Sequence, residues 1–272
     1  MDSMRRSPGA VLSTSERPPT LLESALRSDR TAVVVLLLLL PLLSWTWIVL
    51  MAVDMYGPMT GASAWMMTVR WDVPHLLLLW AMWAVMMAAM MLPSASPLVL
   101  LYGAVARRSV QHAAGRQTYA LAAGYLVAWG AFSLVATALQ RAFASLLLIS
   151  PMMEAATPRV SAMLLLVAGA YQLTPLKHAC LRKCQSPLGF MMSRWRDGWR
   201  GAFRMGLEHG SYCVGCCWAL MLLLFTGGVM NVLVIAGLTA FVLFEKLAPI
   251  DRFGAQVSGA LMIAAGLWML VR

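Results

Sequence analysis

Between Met205 and Trp218 the chain reads Met-Gly-Leu-Glu-His-Gly-Ser-Tyr-Cys-Val-Gly-Cys-Cys-Trp, which brings a histidine and three cysteines into one short run. On a helix, at about 100° per residue, His209, Cys213, Cys216 and Cys217 share an arc of roughly 100°, with Met205 on the same side. They extend over about 12 Å at about 1.5 Å per residue, so one ion cannot take all four. Two stacked sites, or one site completed by another helix, fit that spacing. Thiolate, imidazole and thioether are soft donors that favour monovalent copper, with zinc ranked behind it; carboxylate-poor surroundings argue against calcium and magnesium. The competing reading is packing, in which cysteine serves as a small apolar residue between helices.

Two further sets carry donors. Met82, Met86 and Met90 recur at intervals of four and share a stripe, while Met87 and Met91 lie on another face. Methionine stripes also serve as adaptable core filler. Pro93 and Pro97 follow, and they are expected to interrupt the helix and free backbone carbonyls. If a helix resumes after Pro175, Cys180 and Cys184 sit one turn apart and can hold one ion or form a redox pair. Lys177, Arg182 and Lys183 nearby are expected to favour thiolate, although such charges also mark an inner membrane face.

Five cysteines leave at least one unpaired, so a disulfide framework does not explain the set. Cys213 and Cys216 form a Cys-x-x-Cys pair, which raises thiol oxidoreduction. That pair lies inside an apolar segment instead of at the helix start where a thioredoxin-like motif belongs. No nucleotide loop, Ser-His-Asp constellation or His-Glu-x-x-His helix is present, which disfavours an ATP-driven pump or a hydrolase.

The elements that must position these residues are membrane helices. The sequence is 61% hydrophobic and 12% charged, against about 25% charged in a soluble domain. Its net charge of +10 is assigned to basic cytoplasmic loops and not to nucleic acid. Apolar segments run at about Thr31–Val53, His75–Leu101, Thr118–Leu139, Val160–Gln172, Ala202–Phe225, Val229–Leu247 and Gly254–Val271. The fourth needs Leu173 to Leu176 to reach across, and Phe143–Ala156 reads as an interfacial helix. The expected fold is an all-α polytopic membrane bundle of about seven helices, with a polar, disordered tail at residues 1–30 and a single transmembrane domain at residues 31–272. Of the 21 Lys and Arg, the larger share falls in the N-terminal tail and in alternate loops, which predicts the N-terminus inside and the C-terminus outside. A retinal protein needs a Schiff-base lysine in the last span, and Gly254–Val271 has none.

The stretches Trp83–Pro93 (W-A-V-M-M-A-A-M-M-L-P), Tyr171–Cys184 (Y-Q-L-T-P-L-K-H-A-C-L-R-K-C) and Gly210–Trp218 (G-S-Y-C-V-G-C-C-W), with Met230-Asn231 and Glu245-Lys246, resemble the predicted metal-binding integral membrane proteins. That family is similar to a membrane copper chaperone encoded beside a bacterial tyrosinase. The resemblance covers roughly Pro74 to Leu247. It implies metal roles for Met86, Met87, Met90, Met91, Cys180, Cys184, Cys213, Cys216 and Cys217. The expectation is a non-enzymatic, multi-pass protein of the bacterial inner membrane, surrounded by lipid, that binds monovalent copper and delivers it to a client cuproenzyme. A copper or other metal permease is the alternative, and a membrane thiol oxidoreductase the second.

Overall fold

The structure, a computed structural model, describes residues 21–57, 59, 61–67, 71–109, 114–247 and 252–272. Among these the chain is helical: α1 (Leu21–Met55), α2 (Ala62–Met66), α3 (Val73–Ser109), α4 (Ala114–Ser145), α5 (Pro158–Gln172), α6 (Pro175–Gln185), α7 (Pro187–Arg194), α8 (Gly198–Met221), α9 (Val232–Leu247) and α10 (Arg252–Val271). The all-α expectation holds. Among the described residues, five helical stretches are long and apolar enough to cross a membrane, at Thr31–Met55, Val73–Arg108, Ala114–Ser145, Gly198–Phe225 and Phe253–Val271. The pair α5 and α6 adds a sixth if it counts as one span. The expected segment Val229–Leu247 yields only the 16-residue α9, about 24 Å long against a hydrocarbon core of about 30 Å.

The fourth apolar segment reaches Leu173 and stops. Pro175 has no amide to offer the carbonyl of Tyr171, which instead accepts from Thr174 N at 3.0 Å and Thr174 Oγ1 at 2.7 Å. Thr174 then caps α6 by accepting from Lys177 N, and α6 leaves α5 at 67°. In α3, by contrast, the prolines do not interrupt the helix, which runs through both Pro93 and Pro97. Pro97 removes the amide that would serve Pro93 O, and Ser96 Oγ donates to that carbonyl at 2.7 Å. The freed group is satisfied locally, so the helix continues.

The expected interfacial helix at Phe143–Ala156 is absent as well. α4 ends at Ser145, and a folded loop follows, closed by a bridge between Ile149 and Ala155. Leu147 and Met153 there have φ of 56° and 58°, a conformation costing roughly 1–2 kcal/mol for a residue with a Cβ. The loop is held by Ala155 N donating to Phe225 O at 2.7 Å and Val229 N donating to Met153 O at 3.3 Å. Ahead of the first span, α1 opens at Leu21, inside the segment read as a tail; residues 1–20 lie outside the described residues.

The core forms where α4 and α8 meet, the most extensive helix pairing among the described residues. A Cβ at Gly206 would stand 1.9 Å from Leu121 O, and one at Gly124 would stand 2.1 Å from Phe203 O. Only glycine lets the two backbones approach so closely, the small-residue packing used between membrane helices. Met82, Met86, Met87, Met90 and Met91 are all buried, so both methionine faces of α3 face protein. Outward lie apolar side chains such as Leu38, Leu42 and Leu43 of α1 and Leu261 of α10.

Candidate metal site

The buried face of α8 carries His209, Cys213, Cys216 and Cys217, each less than a tenth exposed, with Met205 also buried on it. Their common burial follows from the arc. Cys216 Sγ is 3.2 Å from Cys217 Sγ and 4.0 Å from Cys184 Sγ of α6. The break at Pro175 is what carries Cys184 to α8, since a straight continuation of α5 would point elsewhere. Two sulfurs 4.0 Å apart match two ligands of one ion, each about 2.3 Å from it, the length of a zinc–thiolate bond. All five cysteines are free.

Cys180 takes a different position. A Cβ at Gly215 would stand 2.9 Å from Cys180 Sγ, so this thiol lies on the α8 backbone. Cys180 and Cys184 therefore address α8 at different points, Gly215 and Cys216 respectively. His209 sits one turn before Cys213, with its ring 5.0 Å from that of Phe190 and 6.0 Å from that of Tyr125. Its Nδ1 is buried without a hydrogen-bond partner, a condition that a metal ion or a water would relieve. Met86, Met87 and Met90 line the interior of α3, and Met91 reaches the cluster, with Sδ 3.9 Å from Lys246 Nζ.

Lys246 is the cation at the thiols. Its Nζ lies 2.8 Å from Cys213 Sγ and 3.0 Å from Ser94 Oγ. Lys177, expected to act on Cys180 and Cys184, is committed elsewhere: its Nζ pairs with Glu245 Oε2 at 2.7 Å, with both side chains buried. Arg182 and Lys183 point outward and are exposed. Tyr125 completes the cluster, its hydroxyl donating to Met91 O at 3.0 Å and lying 3.0 Å from Cys213 Sγ. Spacing of soft donors did not single out Lys246 or Tyr125. The available signal was the Glu245-Lys246 pair at the end of an otherwise apolar segment, since such residues need buried partners.

As the side chains stand, no group of three or more His, Cys, Asp or Glu among the described residues is disposed around a common ion. The thiols contact one another and Lys246 instead. The donor chemistry still suits a soft monovalent ion, because such an ion accepts few ligands and prefers sulfur.

A helical bundle that buries a two-helix set of free thiols beside a lysine and a methionine has the makings of a soft-metal handling protein. The PpoB2 copper chaperone family model matches residues 80–269, and the chain belongs to that family. Neither a curated protein nor a solved structure matches it. The matched residues include α8, α6, the methionines of α3 and Lys246, and exclude α1 and α2.

Proposed function

We propose that the protein is a multi-pass protein of the bacterial inner membrane, N-terminus inside, that binds monovalent copper and delivers it to a client cuproenzyme. Cys184, Cys213, Cys216 and Cys217 are the proposed ligands, with His209 and Met91 as the adjoining donors. The five long apolar helices and the apolar outward side chains of α1 and α10 support the membrane reading.

The observation that carries the copper reading is Lys246 buried against Cys213. A buried ammonium costs several kcal/mol unless an opposite charge meets it. The contacts Met91 Sδ, Ser94 Oγ and Cys213 Sγ include no carboxylate. A monovalent copper ion held by two of these thiolates carries one negative charge, which a single lysine neutralises, and the softness of the sulfur donors favours that ion over a divalent one. The test is metal content after anaerobic purification. About one equivalent of reduced copper is expected, with most of it lost in Cys213→Ser/Cys217→Ser. Unchanged metal in that variant would return these cysteines to packing, and zinc in place of copper would overturn the chaperone reading.

A permease reading is favoured by one observation, the run of buried methionines along α3 from Met82 to Met91. It places further soft donors at successive depths away from the thiols.

A further inference from the structure

A second set of soft donors lies at the start of α3, whereas the thiols meet that helix near its middle, at Met91. His75 precedes Met91 by 16 positions, about 24 Å along the helix. Here a cavity of about 410 Å³ is lined by Met66, Met67, Met153, Trp71 and His75, among others. The three methionines come from separate places in the sequence: Met66 and Met67 from the end of α2, Met153 from the loop after α4. Met66 and Met153 are buried, whereas Leu147 at the edge is 81% exposed, so the cavity is reachable from outside the bundle.

The arrangement is held in place from several sides. His75 Nε2 is 3.1 Å from Met66 O, which ties the end of α2 to the start of α3, and Asp72 Oδ1 accepts from His75 N at 3.1 Å at the first turn of α3. The Arg141 guanidinium lies 6.0 Å from the Trp71 ring, which itself stands 5.3 Å from that of His75. Met153 is fixed at φ 58°, outside the range that an unbranched apolar residue usually adopts. On the loop's other side, the Tyr56 hydroxyl donates to Glu154 Oε1 at 3.3 Å. Burial and the Glu154 carboxylate both raise the Tyr56 pKa above its ordinary value, so the phenol stays a donor through the neutral range.

The geometry points to this cavity as a second binding site, a thioether site for monovalent copper where α3 begins, away from the thiols that meet the middle of that helix at Met91. The inference rests on the proposed copper-handling role and assigns that role a port. Thioethers are soft and uncharged, so they select a monovalent soft ion over divalent ions and bind it more weakly than thiolates do. Weaker binding suits handover by ligand exchange. An ion fills little of about 410 Å³, and the remaining space admits a ligand side chain from the receiving protein. Met82, Met86 and Met90 lie between the two sites on the same helix, buried throughout.

The experiment uses the full chain in detergent micelles without oxygen, with methionine methyls labelled with carbon-13 and silver(I) as a redox-inert probe of the same class. In a Cys184→Ser/Cys213→Ser/Cys216→Ser/Cys217→Ser background, the methyl signals of Met66, Met67 and Met153 are expected to shift together and saturate near one equivalent. Met66→Leu/Met67→Leu/Met153→Leu, which roughly conserves volume, is expected to lose that equivalent and to weaken its binding at least tenfold. Unmoved methyl signals, read on a protein with all its methionines, would overturn the site. So would a triple variant that binds as much silver as its parent. The cysteine-dependent equivalent is counted separately in the protein with all its cysteines: its absence would sink the thiol site, while a saturating methionine shift would still uphold this one.

Discussion

Lys246 Nζ rests 2.8 Å from Cys213 Sγ inside the bundle, with both residues nearly inaccessible. A salt-bridged surface lysine would contribute little, but here the cation has no water to solvate it. Its role is separable from folding. Lys246→Met removes a buried charge and keeps the stem volume, so the metal-free protein should melt at the same temperature or higher. Copper affinity should fall at least tenfold, because the anionic copper–thiolate unit loses its counter-charge. Competition against a monovalent-copper chelator, run beside thermal denaturation, checks both. Unchanged affinity would remove Lys246 from the site.

The two α6 cysteines should behave differently. Cys184 is 4.0 Å from Cys216 Sγ, whereas Cys180 lies on the backbone at Gly215. Cys184→Ser is expected to lower copper retention severalfold, and Cys180→Ser to leave most of it. Equal losses in the two variants, measured as metal per protein after dialysis, would mean that the pair acts as one unit, as their one-turn spacing suggests.

Gly206 tests the scaffold. A methyl there would stand 1.9 Å from Leu121 O, and backbone cannot yield as a flexible side chain would. Gly206→Ala should cost about 1–3 kcal/mol, typical of overpacking, seen as a lower melting temperature in detergent. Since α8 carries Cys213, Cys216 and Cys217, copper retention should fall with it. A variant as stable as the parent would show that α4 and α8 do not need this approach.

The all-helical class was legible in the apolar runs, though not the count of seven spans, and the α8 face was legible in its spacing, because both rest on local periodicity. What local periodicity lacks is partner choice. Lys177 stands three residues before Cys180, yet it pairs with Glu245 across the bundle at 2.7 Å, and the thiols receive Lys246 instead. Adjacent residues Glu245 and Lys246 thus serve different clusters, a division set by how α9 packs on α6 and α3. Similarly, Pro97 looked like a break because the hydroxyl of Ser96, which satisfies the carbonyl that Pro97 frees, acts through a rotamer that the sequence does not display. The bend at Pro175 was half visible: the proline marked it, and the capping threonine sets it.

The Lys177–Glu245 pair offers a fourth prediction. Both side chains are at most 5% exposed, so Lys177→Met alone would strand a carboxylate and cost about 3–5 kcal/mol. Lys177→Met/Glu245→Leu should recover most of that loss, and its copper affinity should stay within a few-fold of the parent. Denaturation of the two variants checks the first statement and chelator competition the second. A double variant as unstable as the single one would mean that the pair organises α6 and α9 in a way apolar packing cannot replace.

Delivery, transport and thiol oxidation use the same cysteines but require different things of them. A chaperone needs a site that an acceptor can reach, and it exchanges ligands without moving copper across the bilayer. A permease needs donors at successive depths, and the buried methionines of α3 from Met82 to Met91 supply candidates. An oxidoreductase needs Cys213 and Cys216 to cycle between dithiol and disulfide, and it would work without copper. The expected result is no net uptake of radioactive copper into sealed vesicles, with copper passed to an apo-cuproenzyme in solution. A strain lacking the protein should lose client activity, and excess copper should partly restore it. Uptake abolished by Met86→Ala/Met90→Ala would decide for the permease. A copper-independent defect confined to disulfide formation, and lost with either Cys213→Ser or Cys216→Ser, would decide for redox chemistry.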